Sequence, residues 1–477
     1  MPEQINTEIK FGTDGWRGVI SDNFTFKNVA IVAQGISEWV NRHLRKKASA
    51  AAKRVAVGYD TRFLSEEYAR IVSCVLAANN IEVYISDGAI PTPALSFGVI
   101  RNGCAAGIMI TASHNPGKFN GIKIKTGQGG GASKDVTDTI EDYLYQTEVK
   151  TMDFDEAKNQ RQIVLHDYKN DYIAFIRNYI DFKGIKNSNF KVLVDVMHGS
   201  GNGLIARILE GTKIRLSLMR DDVNPSFDGG KPEPVVEYLE KTIKRVKQEK
   251  FDLGLVLDGD ADRIAAIAPG GEFIHPQKIL ALLILHLVKN RHQEGGVVKT
   301  ICGTTMLDHI AKKLGLKLYE TPVGFKYISE LMVTEKIVAG GEEAGGMGLP
   351  NYIPERDGTL AGLLLLEMMV TENKNIKKII AEMENEFDRY YYERFDFKMR
   401  PGAKFDLDAF KRTKKLLGRK VVEIKDFDGV KLICDDESWL MLRPSGTEPL
   451  IRAYSEAKSI TRAKQLIKYG ESLLKKR

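Results

Sequence analysis

Short apolar runs recur along this chain without the alternation of a half-exposed strand, and each runs directly into a loop of glycines, hydroxyls or acids. Residues 55–59, 81–86 and 105–110 are the first three, and the stretch 65–78 between them has helical spacing. Parallel strands covered by helices on both faces bury such runs. The same order restarts twice. Residues 190–196 lead into the glycine turn 198–203 and a helix over 204–209, and 251–257 lead into an acidic loop at 258–263. Further on, 296–301 precede a helix over 307–314, and 336–339 lead into a glycine-rich stretch at 340–348.

After an amphipathic segment at 376–387 the pattern changes to an aromatic, charged segment over 390–399. Strands then follow at 429–434, 439–443 and 450–454, and a closing helix at 460–474. A chain of 477 residues exceeds one hydrophobic core. Three α/β domains and a smaller α+β domain are expected, at 1–166, 167–270, 271–387 and 388–477.

Four loops carry groups that chemistry needs. In Thr111-Ala112-Ser113-His114-Asn115-Pro116 a hydroxyl is delivered by a stiff strand and followed by a proline-fixed turn. A Ser-His pair in a turn is ordinarily a cap, but loops at the carboxyl ends of parallel strands gather around ligands, so Ser113 and His114 are held as site residues. Beyond them, alternation places Lys123 and Lys125 on one face, expected to be solvent unless it turns into a cleft.

The second loop, Asp258-Gly259-Asp260-Ala261-Asp262-Arg263, brings three carboxylates within five residues. They repel one another unless a cation sits among them, and an all-oxygen set suits Mg2+ rather than zinc. Such a set leaves a coordination position for an oxygen of a phosphoserine. In the third, Gly340 to Gly348, Glu342 can accept from two neighbouring sugar hydroxyls, and Gly324-Phe325-Lys326 adds a stacking ring and a cation. The fourth, Arg443-Pro444-Ser445-Gly446-Thr447-Glu448-Pro449, offers a guanidinium fork, hydroxyls and exposed backbone N–H groups, the donors that hold a phosphate.

Other classes find little support. There is no GxxxxGK[ST] and no HExxH, and 198–203 lacks the full GxGxxG spacing. Net charge is +7, from 70 basic and 63 acidic residues, with Lys and Arg scattered. The densest run, Lys241, Lys244, Arg245, Lys247 and Lys250, reads as the solvated face of a helix, so a small anion is expected as ligand and nucleic acid is not. Four separated cysteines, no apolar signal core in the opening residues and an apolar stretch at 279–288 too short for a bilayer point to a cytoplasmic enzyme without a membrane partner. Oligomeric state is not legible.

Together the pieces resemble the α-D-phosphohexomutase superfamily over essentially the whole length. They are Phe11-Gly12-Thr13-Asp14-Gly15-Trp16-Arg17-Gly18, TASHNP at 111–116, DGDADR at 258–263, GEEAGG at 341–346 and RPSGTEP at 443–449, in the family's order. The resemblance implies four domains around a central cleft: one with a phosphoserine loop, one with a metal loop, one with a sugar loop, and a last phosphate-binding domain of the TATA-box-binding-protein-like type. It implies Ser113 as the phosphorylated residue and Mg2+ on Asp258, Asp260, Asp262 and the phosphoserine. Arg17 and Arg263 would lie near the transferring group, and Lys123 would be a general acid/base, with His114 the second candidate. Gly324, Phe325, Lys326, Glu342 and Ala344 would meet the sugar, and Arg443, Ser445, Gly446 and Thr447 the other phosphate.

Gly324-Phe325-Lys326 resembles glucose-specific members; dual-specificity members carry histidine at the positions of Phe325 and Gly346. The implied activity is interconversion of glucose 1-phosphate and glucose 6-phosphate, with glucose 1,6-bisphosphate as intermediate and activator. A phosphomannomutase or phosphoglucosamine mutase is the alternative, and a non-catalytic sugar-phosphate binder the alternative from another class. Ala344 replaces the family's more common serine and removes a hydroxyl.

Overall fold

The computed structural model describes residues 9–12, 14–44, 54–399, 405–444 and 450–475. Four sheets follow one another along the chain. The first has the order Trp16–Val19, Phe119–Thr126, Ala106–Ile110, Arg54–Tyr59, Glu82–Ser86 and Ile163–His166. Its last four strands run parallel, while Phe119–Thr126 returns antiparallel to Ala106–Ile110. The parallel strands are the continuous apolar runs of the sequence, and Ala106–Ile110 is buried throughout.

The second sheet repeats the device. Leu253–Leu257, Lys191–Asp195 and Arg215–Met219 are parallel, and Ile264–Ala268 turns back antiparallel on Leu253–Leu257. Its edge strand, Glu272–Ile274, follows a hairpin turn at Gly270 and Gly271, so this sheet runs past residue 270. In the third sheet Leu318–Thr321, Gly296–Thr300 and Ile337–Gly341 are parallel, and the two-residue strand Met347–Gly348 returns on Ile337–Gly341. In all three, a parallel strand ends in a loop and comes back as its own antiparallel neighbour. The TASHNP, DGDADR and GEEAGG segments are those three loops.

Helix Gly358–Glu372 joins the second and third cores. Its residues from Gly358 to Met369 are all buried, and Asp357 caps it by accepting from Leu360 N at 2.8 Å. It packs on Leu253–Leu257, on Ile264–Ala268 and on helix Pro276–Leu285.

The fourth sheet is antiparallel throughout, in the order Tyr391–Lys398, Leu450–Ala457, Trp439–Pro444, Val430–Cys434, Arg419–Lys425 and Lys415–Leu416. Alternation along Trp439–Pro444 divides two faces. Leu440 and Leu442 pack towards helix Ile460–Lys475, whereas Trp439 and Met441 pack on Ile301 and Cys302 of the third domain. The basic run near 241–250 lies mostly on helix Glu240–Gln248, which buries only Thr242 and Val246 and turns Lys241, Lys244 and Lys247 to solvent.

One expectation needs correction. Lys123 and Lys125 do share a face of Phe119–Thr126, but it is not a solvent face: they are 1% and 0% exposed. The alternation holds because acids of the second and third domains close over that face. Phe325 opens helix Phe325–Thr334 with its ring packed against Val298, Ile328 and Ile337. The residue is 6% exposed, and the Arg356 guanidinium lies 5.4 Å from its ring centroid.

Candidate active site

Ser113 is the first residue to place. It has φ 53 and is 1% exposed, and its Oγ donates to Asp258 Oδ2 at 3.0 Å. His114 Nδ1 lies 3.4 Å from the same oxygen. Left-handed backbone is costly for a side chain other than glycine, and it persists where surroundings fix it. Here the Ser113 N–H donates to Thr111 Oγ1 at 2.9 Å.

Asp258, Asp260 and Asp262 are all fully buried, with ligand oxygens within 4.8 Å of one another. Thr92 donates to Asp260 Oδ2 at 2.5 Å, and Arg263 N donates to Asp258 Oδ1 at 3.1 Å. The Oδ1 atoms of Asp260 and Asp262 are buried without a hydrogen bond. Orphaned carboxylate oxygens converging with a serine hydroxyl form a hard, all-oxygen donor set, which fits Mg2+. The turn at His198 to Gly203 supports this loop from behind, since Ser200 N donates to Gly259 O at 2.9 Å.

Cations from other domains balance the acids. Lys123 Nζ lies 2.8 Å from Asp260 Oδ2, 2.9 Å from Asp262 Oδ2 and 3.1 Å from Asp14 Oδ2. Burial would lower its pKa, but Asp14, Asp260 and Asp262 outweigh burial and raise it, so the ammonium stays charged. Burial likewise would raise Asp260, and the Lys123 charge and hydrogen bond hold it below the ordinary range. Asp258 goes the other way: burial, then Asp262 and Asp260, push its carboxyl well up. Burial, then Arg263, Arg17 and Lys123, hold the His114 imidazole well below its usual pKa, so it is neutral. Arg17 donates to Asn115 Oδ1 at 2.9 Å, and Arg263 Nε sits 3.8 Å from Asp262 Oδ1.

Two residues that sequence reasoning did not single out tie this cluster to the sugar loop. Arg356, 3% exposed, lies 2.8 Å from Asp262 Oδ2, 2.9 Å from Asp14 Oδ2 and 3.2 Å from Glu342 Oε2. Its chain lies against Gly346, where an added Cβ would meet Arg356 Cδ at 2.2 Å. That close approach accounts for glycine at this position. Asp14, within the FGTDG segment, is the anion shared by Lys123, Arg356 and Arg17. Its only sequence signal was that segment. For Arg356 the signal was a charged triplet, Glu355-Arg356-Asp357, placed directly before a predominantly apolar helix.

Glu342 itself is pushed upward by burial, with Arg356 and Arg263 opposing. Ala344 is half-buried in the same turn, which closes as Glu342 N donates to Gly346 O at 3.0 Å. Gly324, at φ 134, precedes the helix that starts at Phe325, and Lys326 Nζ lies 4.9 Å over the Tyr327 ring.

Arg443 belongs to a separate grouping. Its Nε donates to Asp428 Oδ1 at 2.8 Å, and Asp428 Oδ2 accepts from Val323 N at 2.7 Å, so the last domain is linked to the 321–326 loop. Ser445, Gly446 and Thr447 lie outside the described residues.

Comparison with known proteins matches this arrangement domain by domain. Phosphoglucomutase/phosphomannomutase alpha/beta/alpha domains I, II and III match residues 8–150, 170–271 and 275–387, and the C-terminal domain matches 397–468. The chain belongs to the phosphoglucomutase/phosphomannomutase family. Within it, the chain is 30% identical over 465 residues to a phosphoglucomutase/phosphomannomutase of Thermococcus kodakarensis, covering 97% of this chain and 98% of the relative. It is equally 30% identical over 465 residues to a phosphoglucosamine/phosphogalactosamine mutase of Sulfurisphaera tokodaii, covering 96% and 97%. Among solved structures, a Thermus thermophilus protein described as a phosphomannomutase superposes with TM-score 0.86 at 31% identity, covering 98% of this chain and 99% of that one. Parafusin, a Paramecium phosphoglucomutase in its open form, gives 0.82 at 26% identity over 98% and 96%. As a phosphohexomutase of this family, the chain acts on a sugar phosphate. Among the described residues no helix is long and apolar enough to cross a membrane.

Proposed function

We propose that this family member is a Mg2+-dependent phosphoglucomutase that interconverts α-D-glucose 1-phosphate and glucose 6-phosphate through a phosphoserine at Ser113 and glucose 1,6-bisphosphate. The observation that carries it is the Ser113 hydroxyl, fixed 3.0 Å from Asp258, the first of three buried aspartates, of which Asp260 and Asp262 each keep an Oδ1 without a hydrogen bond. Asp258, Asp260 and Asp262 would hold Mg2+ together with an oxygen on Ser113, and the bound ion would offset charge on the phosphoryl oxygens.

Phosphorylated Ser113 gives its phosphoryl group to the sugar O6 hydroxyl: the Oγ–P bond breaks as the O6–P bond forms. The hydroxyl proton passes through neutral His114 to the serine oxygen. Lys123 and Arg17, both cationic, balance the transferring oxygens. The bisphosphate, turned end for end, returns its C1 phosphate to Ser113 by the reverse set of bond changes and leaves as glucose 6-phosphate. Glu342 and the Ala344 turn hold the sugar hydroxyls, while Arg443, Ser445, Gly446 and Thr447 grip the phosphate that is not transferred. The last domain, assigned to the TATA-box-binding-protein-like type on its antiparallel sheet, closes over the substrate and keeps water from the phosphoserine.

Glucose is favoured by Gly324-Phe325-Lys326 and by glycine rather than histidine at 346. The tests are direct. Incubation with glucose 1,6-bisphosphate should label Ser113, and Ser113→Ala should abolish both labelling and turnover. A Ser113→Ala enzyme with full activity refutes the nucleophile assignment. Side-by-side rates on glucose, mannose and glucosamine 1-phosphates settle the substrate, and a higher kcat/KM for either of the last two overturns the glucose preference.

A further inference from the structure

Arg62 lies within the loop between strand Arg54–Tyr59 and helix Ser65–Ala78, 51 residues before Ser113, and it is 3% exposed. Every N–H of its guanidinium is used. NH2 donates to Ser113 O and to Asn115 O, each at 2.6 Å. NH1 donates to Pro116 O at 2.9 Å and to Phe119 O at 3.0 Å, and Nε donates to Asp60 Oδ2 at 3.1 Å. Four carbonyls of one turn therefore converge on a single planar fork. Pro116 O also accepts from Phe119 N at 3.0 Å, but losing the fork would strip a donor from each of these partly buried carbonyls, which is costly, so the fork stabilises this shape of the turn.

The same unit reaches the Ser113 amide from the other side. Asp60 Oδ2 accepts from Thr111 Oγ1 at 2.6 Å, and Thr111 Oγ1 accepts from Ser113 N at 2.9 Å. Ser113 is thus held at both its N–H and its C=O, which supports its left-handed φ of 53. Against the same carbonyl lies Gly259 of the acidic loop, where an added Cβ would stand 2.4 Å from Ser113 O. Phe227 of the second domain lies under the guanidinium at 4.9 Å. Arg62 makes no hydrogen bond to Ser113 Oγ, so it acts through the backbone.

We infer that Arg62, oriented by Asp60, is a positioning residue that holds the 113–119 turn so that the Ser113 hydroxyl faces the acidic loop; the inference rests on the reading of Ser113 as the phosphoryl carrier. A lysine at this position offers three donors without the planar fork and cannot satisfy five acceptors. Displacing the nucleophile by about 1 Å costs on the order of 100-fold in rate.

The experiment compares wild type, Arg62→Lys and Arg62→Ala by steady-state kinetics, thermal unfolding and mass spectrometry of Ser113 after incubation with glucose 1,6-bisphosphate. Arg62→Lys is expected to lose about 100-fold in kcat with KM little changed and with slower labelling of Ser113. Added guanidinium should restore part of kcat to Arg62→Ala, whose side-chain space is empty, and none to Arg62→Lys. If Arg62→Ala does not fold, the kcat-against-KM split of a folded Arg62→Lys decides alone. Wild-type kcat in Arg62→Lys, or a loss confined to KM, overturns the inference while leaving labelled Ser113 intact. Failure of the wild type itself to take label on Ser113 overturns the phosphoserine reading and this inference with it.

Discussion

Lys431 offers a quantitative handle on the contact between the last domain and the third. It is 2% exposed, its Nζ donates to Ile301 O at 2.8 Å, and it sits 3.9 Å over the Trp439 ring. Burial, with help from Lys299 and Lys425 and against Glu320 and Glu456, holds this amine at about 7 instead of its usual 10.5. The difference, at about 1.4 kcal/mol per pH unit, is about 5 kcal/mol of docking energy withheld when the group is charged on both sides of the equilibrium. The sign is fixed by proton counts. Between about pH 7 and about pH 10 the released lysine binds a proton that the docked one lacks, so docking strengthens as pH rises. Below about pH 7 both forms are protonated and the slope disappears.

Lys431→Met keeps the packing and removes the titration. Leaving Ile301 O unpaired costs the variant about 1–3 kcal/mol, a term that does not change with pH. Urea titrations followed by Trp439 emission, run on both proteins across this range, should show the wild type gaining on the variant by up to about 1.4 kcal/mol per pH unit. Taking the difference cancels titrating groups that do not interact with Lys431. A flat difference, or one that falls as pH rises, refutes the buried-amine argument.

Arg443→Ala should raise KM for the sugar phosphate about 10- to 100-fold, the worth of a charge-assisted hydrogen bond, with far less effect on thermal unfolding; unchanged kinetics would remove Arg443 from the phosphate grip. Chelation of divalent metal should stop turnover and Mg2+ should restore it, whereas an undiminished rate in chelator would reject the acidic loop as a metal site.

The α/β layering was legible because strands buried on both faces leave uninterrupted apolar runs, and Leu253–Leu257 and Ala106–Ile110 are such runs. Helix Gly358–Glu372 was not, for a related reason. A helix buried all round has no polar face, so the 3.6-residue alternation that marks a surface helix is absent from Leu360 to Met369. Phe119–Thr126 misled in the opposite sense. Its alternation is real, but the face carrying Lys123 and Lys125 meets Asp260, Asp262 and Glu355 instead of water. Alternation reports that two faces differ, and it does not say that the polar one is wet.

The site divides along the same line. The loops of the first three domains are each a contiguous hairpin turn, so their acids, hydroxyls and glycines can be read in a few residues. The ion pairs that make those loops tolerable cross domains: Arg356 and Asp14 are 342 residues apart, and Lys123 and Asp260 are 137 apart. No spacing rule reaches that far. Three buried carboxylates on one short loop repel one another unless cations arrive from elsewhere. The second domain supplies the acids, the first supplies Lys123 and, at longer range, Arg17, and the third supplies Arg356. None of these sets is balanced alone, so the charge arrangement forms only as the domains pack. The electrostatics that favour phosphoryl transfer are therefore also a condition on assembling the cleft, and a substitution that neutralises one member should be felt in the docking of the other domains as well as in the chemistry.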